Sequence, residues 1–412
     1  MTMLEAMLKN AQAAQKEWAL SHTQVRNDAL EQMIHLVRRD QDKILSANRR
    51  DLDAASELPK ALANRLALSP EGLSKLLQGL KVVIDQPDPL GTGMGQRTLP
   101  NGLSIEAIRV PLGTIGLIFE SRPGVAIEAV ALALKAGNAM ILRSGHEAKG
   151  TVAAIVACWQ EALTKTGFRA DLVQQILDPD RKYVDALLHL RGLDLLIPRG
   201  GPALIQKVVA EATVPVIETG VGNCHVYVDR QADLDMAVNI VINAKVSNPA
   251  VCNAAETVLV HQDIAEQLLP ELAKALSAQG VQLHADSRAL SLIPGAVLAT
   301  NEDFAKEYLS LDLAVRVVAN IDEAIAHIEQ YGTKHSETIV TNDYSQGERF
   351  LKMVDAAAVY INASTRFTDG YQFGFGGEVG ISTQKLHARG PMGLEALTTW
   401  KWVGRGHGQI RS

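Results

Sequence analysis

Several things that would narrow the class of this chain at once are missing from it. Its 412 residues hold only three cysteines, Cys158, Cys224 and Cys252, with no paired spacing. That excludes a disulfide scaffold and a zinc knuckle, and no metal centre is expected. No run of Lys or Arg occurs and the formal net charge is −6, which excludes a nucleic-acid footprint. No apolar stretch is long enough to cross a bilayer, and the start, Met1–Asn10, lacks the basic residues and cleavage site of a signal peptide. A cytoplasmic protein without membrane or nucleic-acid partners is the expectation. The glycine-rich pieces Gly91–Gly95, Gly374–Gly377 and Gly404–Gly408 lack the strand-to-helix spacing of a dinucleotide fingerprint, so none is read as one.

What is present is a large apolar complement, 47% hydrophobic against 21% charged, enough for two or three domains. Residues 3–85 read as successive helices. Thr23 is the expected N-cap of one with the apolar face Leu30, Met33, Ile34 and Val37, and Pro59 parts two shorter ones. Residues 96–110, around Pro100-Asn101-Gly102, read as a hairpin that the tail strand near Thr398–Val403 can join. From Gly113 the pattern alternates: strands at Ile115–Phe119, Ala139–Leu142, Val173–Leu177, Leu193–Ile197 and Val214–Ile217 separated by helices. A second alternating section follows Asp229. The fold class expected is α/β, with two doubly wound parallel sheets and a small β flap.

Ligands in such sheets bind at the carboxyl ends of the strands. Those ends carry Glu120-Ser121-Arg122, Arg143-Ser144-Gly145 and Arg199-Gly200-Gly201. A guanidinium beside glycine at a strand end suits phosphate, so Arg143 and Arg199 point to a phosphorylated cofactor and favour NADP(H) over NAD(H). Cys158 lies on an apolar helix face and reads as core. Cys224 and His225 are strand neighbours and point to opposite faces. Cys252 is the candidate nucleophile. It sits in the polar, Pro249-interrupted loop Asn243–Asn253, with Lys245 near in sequence, where a thiolate is accessible. Asn362–Gly370 gathers hydroxyls, an amide and a guanidinium after another strand, a set suited to an anionic substrate.

The segments Pro111–Gly124, Lys135–Ala139, Asn362–Gly370 and Ser382–Thr399 resemble the γ-glutamyl phosphate reductases, a family of the aldehyde dehydrogenase superfamily, over essentially the whole chain. The resemblance implies an NADP-binding domain (1–95 and 111–228), a catalytic domain (229–365) and an oligomerisation flap (96–110 and 390–412). It also implies reduction of L-glutamyl 5-phosphate by NADPH to L-glutamate 5-semialdehyde and phosphate, through a thioester on Cys252. Glu307 matches the superfamily's nicotinamide-ribose glutamate, and Arg143 its cofactor-binding lysine. Arg143, Ser144, Gly145, Arg199, Gly200, Gly201 and Glu307 are therefore the expected cofactor set. Glu120, Arg122, Ser364, Thr365 and Arg366 are expected to hold the substrate.

Two departures matter. Ser121 stands where hydrolytic aldehyde dehydrogenases have an oxyanion-binding asparagine, so the oxyanion is assigned to the Cys252 amide with Asn248 or Arg122. Glu218 matches the hydrolytic general base, a role this reaction does not need. Two rival readings stay open: a coenzyme A-acylating aldehyde dehydrogenase and a catalytically inactive binding homologue. A homodimer or larger assembly is expected, and a glutamate 5-kinase partner that hands over the acyl phosphate is left open.

Overall fold

The computed structural model describes residues 2–58 and 60–411; Pro59, the break expected between two helices, lies outside them. The chain divides into two compact units.

The first unit comprises Met1–Thr219, Gly374–Gly380 and Met392–Ser412. Its core is a four-stranded parallel sheet ordered Val173–Gln175, Ala139–Ser144, Thr114–Phe119, Leu195–Arg199. Every residue of Thr114–Phe119 and Ala139–Ser144 is buried, because helices cover both faces, so these strands show no polar alternation. Burying each Leu, Ile or Val of these strands contributes roughly 1.5–3 kcal/mol. The helix Val125–Lys135 is buried almost all round, and Trp18 donates its indole N–H to the Leu134 carbonyl at 2.8 Å. Leu30, Met33, Ile34 and Val37 are buried as their spacing requires. Thr23 is the first residue of its helix rather than its cap, and its hydroxyl bonds Asp88 instead. Val214–Ile217 is not a strand. Pro215 has no N–H to donate, so the segment keeps one bridge, Leu196 to Val216, with the Leu196 amide donating to the Pro215 carbonyl at 2.8 Å.

A separate antiparallel sheet joins Gly93–Thr98, Ser104–Pro111 and the tail strand Thr398–Arg405. This pairing of tail and hairpin is the one their patterns suggest.

The second unit comprises Gly220–Phe373 and Ile381–Pro391. Its seven parallel strands run Val297–Leu298, Gln282–Ala285, Asp312–Val318, Ala255–His261, Cys224–Val228, Ser336–Val340, Ala358–Ile361. The division at Thr219/Gly220 comes before the boundary read at 228/229. Cys224–Val228 pairs on both sides with strands of the second sheet, and its hydrogen bonds carry it there.

Candidate functional site

Two groups of side chains stand out, one in each unit.

In the second unit, the helix Leu234–Val246 is capped by Asp233, whose carboxylate accepts from the Met236 amide at 2.9 Å. It runs out at Ser247, which donates its hydroxyl to Asn243 O at 2.7 Å, and Pro249 forbids its continuation. Asn248 is exposed, and its Oδ1 accepts from the Ala250 amide at 3.2 Å in a tight turn. Cys252 follows, half-buried, just ahead of the strand Ala255–His261.

The backbone at Cys252 is tightly seated. Cys224 donates its thiol to the Cys252 carbonyl at 3.2 Å. A Cβ added to Gly222 would lie 1.5 Å from the same oxygen, so no other residue fits there. The Gly222 amide in turn donates to Glu307 Oε1 at 2.9 Å. On the other side, Thr365 donates to the Asn253 carbonyl at 2.7 Å, and Asn253 Nδ2 donates to the Thr368 carbonyl at 2.8 Å. Arg366 bonds Asn253 Oδ1 and donates Nε to Ser247 Oγ at 3.0 Å. Ser364 is buried, and its Oγ accepts from the Arg366 amide at 3.3 Å. The segment Ser364–Arg366 is thus brought to the Cys252 loop. The Thr365 hydroxyl, however, is engaged by backbone.

Lys245, near Cys252 in sequence, is paired. Its ammonium pairs with Glu256 Oε2 at 2.5 Å, and both side chains are fully buried. Burial raises the Glu256 carboxyl to about 7 against the opposing pull of Lys245, and lowers Lys245. Glu256 Oε1 also accepts from the Leu309 amide at 3.4 Å. Cys224 is buried, and burial pushes its thiol well up; Cys158 is raised to about 11 for the same reason. His225 turns away from Cys224 to bond Glu337 Oε2 at 3.0 Å, as strand alternation requires.

In the first unit, the carboxyl ends of three strands converge. Glu120 Oε2 accepts from the Gly201 amide at 2.9 Å, and a Cβ on Gly200 would meet that oxygen at 2.4 Å. Ser121 is buried with φ +44°, in the left-handed region, and its amide and hydroxyl both donate to Glu147 Oε1 at 2.8 Å. A Cβ on Gly145 would meet the Glu147 carboxylate at 2.2 Å. Gly145 and Gly200 therefore answer to neighbouring carboxylates. Arg143 donates Nη1 to Ser144 O at 2.6 Å and Nη2 to Pro179 O at 2.7 Å. Arg199 lies in a cavity of about 230 Å³ together with Arg122 and Arg65. Glu218 is half-buried in this unit, beside the buried Thr219.

Sequence reasoning passed over Gly222, Asn253, Glu256, Glu147 and Arg65 as site residues. Glu147 had a faint signal, a carboxylate three residues past the end of a strand. The others become visible only through contacts distant in sequence.

A parallel α/β fold with a cysteine at the mouth of one sheet and cations at the strand ends of the other defines a dehydrogenase-type enzyme. The model of the aldehyde dehydrogenase family matches residues 2–294. The γ-glutamyl phosphate reductase of Heliobacterium modesticaldum is 51% identical over 406 residues, 98% of this chain and 97% of that one. That of Moorella thermoacetica is 53% identical over 392 residues, 94% of each chain. The crystal structure of γ-glutamyl phosphate reductase from Thermotoga maritima superposes with a TM-score of 0.96 at 44% identity, covering 100% of both chains. The chain belongs to the aldehyde dehydrogenase family and, within it, to the γ-glutamyl phosphate reductases. An acetylating aldehyde dehydrogenase from Geobacillus thermoglucosidasius, 19% identical with a TM-score of 0.73 over 99% of this chain and 97% of that one, shares the fold.

Proposed function

We propose that this protein reduces L-glutamyl 5-phosphate to L-glutamate 5-semialdehyde with NADPH, releasing inorganic phosphate, as a cytoplasmic enzyme of proline biosynthesis. The observation that carries the reading is the seating of Cys252: half-buried, at a strand entrance, with its carbonyl gripped by Cys224 and crowded by Gly222. A nucleophile needs such fixed geometry, since a well-oriented attack recovers much of the barrier.

In this mechanism the Cys252 thiolate attacks the acyl carbon, and Asn248, whose Oδ1 is held by Ala250, offers its amide N–H groups to the oxyanion. The bond between the acyl carbon and the bridging oxygen then breaks, phosphate leaves with that oxygen and takes up a proton, and a thioester remains on Cys252. A nicotinamide held by the cofactor set would supply hydride to that carbonyl. The resulting thiohemiacetal releases aldehyde as sulfur regains its electron pair, and one proton is consumed overall. Arg122, Glu120, Ser364, Thr365 and Arg366 are proposed for the substrate. Thr365 and Glu120 hold backbone, the Asn253 carbonyl and the Gly201 amide, and Arg366 holds the Ser247 and Asn253 side chains.

For the cofactor, Arg143 keeps a buried Nε without a hydrogen-bond partner while its Nη atoms are held by carbonyls, and with Ser144, Gly145, Arg199, Gly200 and Gly201 at parallel strand ends it is proposed to hold the phosphates. Glu307, joined to the Gly222 amide, is proposed for the nicotinamide ribose. The antiparallel sheet that exposes Met94 and Trp402 supports self-association as a homodimer or larger. Delivery of the acyl phosphate by glutamate 5-kinase completes the proposal.

The test is the reverse reaction: NADP⁺ reduction with glutamate semialdehyde, with and without phosphate, for wild type and Cys252→Ala. Strict phosphate dependence that vanishes in the variant supports the reading. Turnover with coenzyme A in place of phosphate would overturn it in favour of an acylating dehydrogenase.

A further inference from the structure

Asn223 is a fully buried amide at the entrance of the strand Cys224–Val228. Its Nδ2 donates to two carbonyls, Phe304 O at 2.7 Å and Tyr331 O at 2.8 Å. Its backbone N–H donates to Thr333 Oγ1 at 2.9 Å. Two acceptors on one side fix which way the side-chain amide faces, since only its NH2 end carries two donors. That leaves Oδ1 buried without a hydrogen-bond partner, a cost that a side chain kept only for stability would avoid. Its partners lie beside groups proposed for the reaction. Phe304 is in the helix Asn301–Ala305, three residues before Glu307, and Leu309, two residues after Glu307, donates its amide to Glu256. The chain neighbours of Asn223 reach the reacting groups directly. The Gly222 amide donates to Glu307 Oε1 at 2.9 Å, and the Cys224 thiol donates to the Cys252 carbonyl at 3.2 Å. All of these residues belong to the second unit.

We infer that Asn223 is a positioning residue that holds Cys252 and Glu307 at one fixed separation, by pinning the segment 222–224 to the chain that carries Glu307. The inference rests on the proposed function and deepens it, since it names a residue outside the expected sites that joins the nucleophile to the cofactor carboxylate. Neither neighbour does this alone. Glycine leaves its backbone free to turn, so the single bond from Gly222 to Glu307 aligns little unless the next residue is pinned. Asn223 supplies three pins at once, to the helix before Glu307, to the last residue of the helix Ile321–Tyr331 and to Thr333 beyond it. Other side chains fall short. Serine and threonine carry one O–H, ionised aspartate carries no donor, and glutamine sets its amide one carbon further out. Hydride transfer asks for such fixity, because the reacting atoms must meet at about 3–3.5 Å.

The experiment measures NADPH affinity by nucleotide fluorescence, and the rate of iodoacetamide labelling at Cys252, in the full chain. In Asn223→Ala the Kd for NADPH is expected to rise about tenfold, and labelling to speed up about threefold as the loop opens. Glu307→Gln also weakens NADPH. Adding Asn223→Ala to it is expected to cost less than about twofold more, because the first change has removed what the second acts through. Full additivity overturns the inference, and so does an unchanged Kd or an unchanged labelling rate in Asn223→Ala. Asp343→Ala uncaps the helix Tyr344–Met353 of the same unit and is the control for lost stability alone. Both readings stay within about twofold of wild type there; shifts as large as those of Asn223→Ala would make the role merely structural and overturn the inference. If Asn223→Ala does not fold, Thr333→Val removes the acceptor of the Asn223 N–H instead. NADPH Kd is then expected to rise about threefold, and Thr333→Ser to restore it; equal values for the two variants overturn the inference. None of these readings needs turnover. A wild type that follows this pattern but shows no phosphate-dependent reverse reaction overturns the proposed function and leaves the positioning role supported, whereas a wild type that binds no NADPH overturns both.

Discussion

Lys245 and Glu256 stand on either side of Cys252 in sequence and meet fully buried, with Nζ 2.5 Å from Oε2. The pair ties the helix that enters the cysteine loop to the strand that leaves it. Through Glu256 Oε1 and the Leu309 amide it also reaches the chain two residues past Glu307. A buried pair of this kind holds geometry more than it adds stability.

Removing Lys245 strips Glu256 of the pairing that opposes its burial, so the carboxyl is buried either protonated or unpaired. Lys245→Met is expected to cost roughly 3–5 kcal/mol, and Lys245→Met with Glu256→Leu much less. Urea unfolding of both variants measures the difference. Equal losses would show that the pair is not an isolated ionic unit.

Gly222→Ala places a methyl carbon where the Cys252 carbonyl now lies, 1.5 Å away, so the loop must shift. A displacement of that size is expected to lower kcat roughly 100-fold while the protein stays folded. Steady-state kinetics beside a circular dichroism melt separate the two effects. Near-normal kcat would mean that the loop tolerates the move.

Thr365→Val keeps the shape of the side chain but deletes its bond to the Asn253 carbonyl. The loss is expected to be about 1–2 kcal/mol, with a changed alkylation rate at Cys252, its neighbour. Thr365→Ser retains the hydroxyl and is expected to behave like wild type. Mass-spectrometric timing of iodoacetamide labelling reads the second effect.

Acid sensitivity is expected from His335, where burial lowers the imidazole from 6.5 to about 4. Below pH 6.5 the unfolded chain takes up a proton that the folded ring refuses, so stability falls as pH drops and levels off below about 4. The span corresponds to about 3 kcal/mol. Burial lowers His327 as well, with the same sign. Denaturant midpoints from pH 7 to 4 are expected to fall less steeply in His335→Asn; an unchanged slope would rule out this source.

The alternation of strands and helices, the apolar helix face of Leu30, Met33, Ile34 and Val37, and the isolated Cys252 loop were legible in sequence, because each is set by local periodicity or by a proline. Val214–Ile217 misled, since its apolar run reads as a strand while Pro215 withholds the N–H a strand needs. The affiliation of Cys224–Val228 also escaped a linear reading, for which sheet a strand joins is decided by partners far along the chain.

The site divides in the same way. Residue types and their order alone marked out a cysteine in a polar loop, arginines at strand ends and a run of hydroxyls after Asn362, and only the resemblance to a family joined them into one chemistry. Only the tertiary structure decided what each does: that Thr365 grips backbone, that Arg143 is engaged by carbonyls, and that Arg65 joins Arg122 and Arg199. The physical reason is that hydrogen-bond partners and burial depend on contacts across 100 residues and more, as between Thr365 and Asn253, while periodicity carries information over a few turns at most.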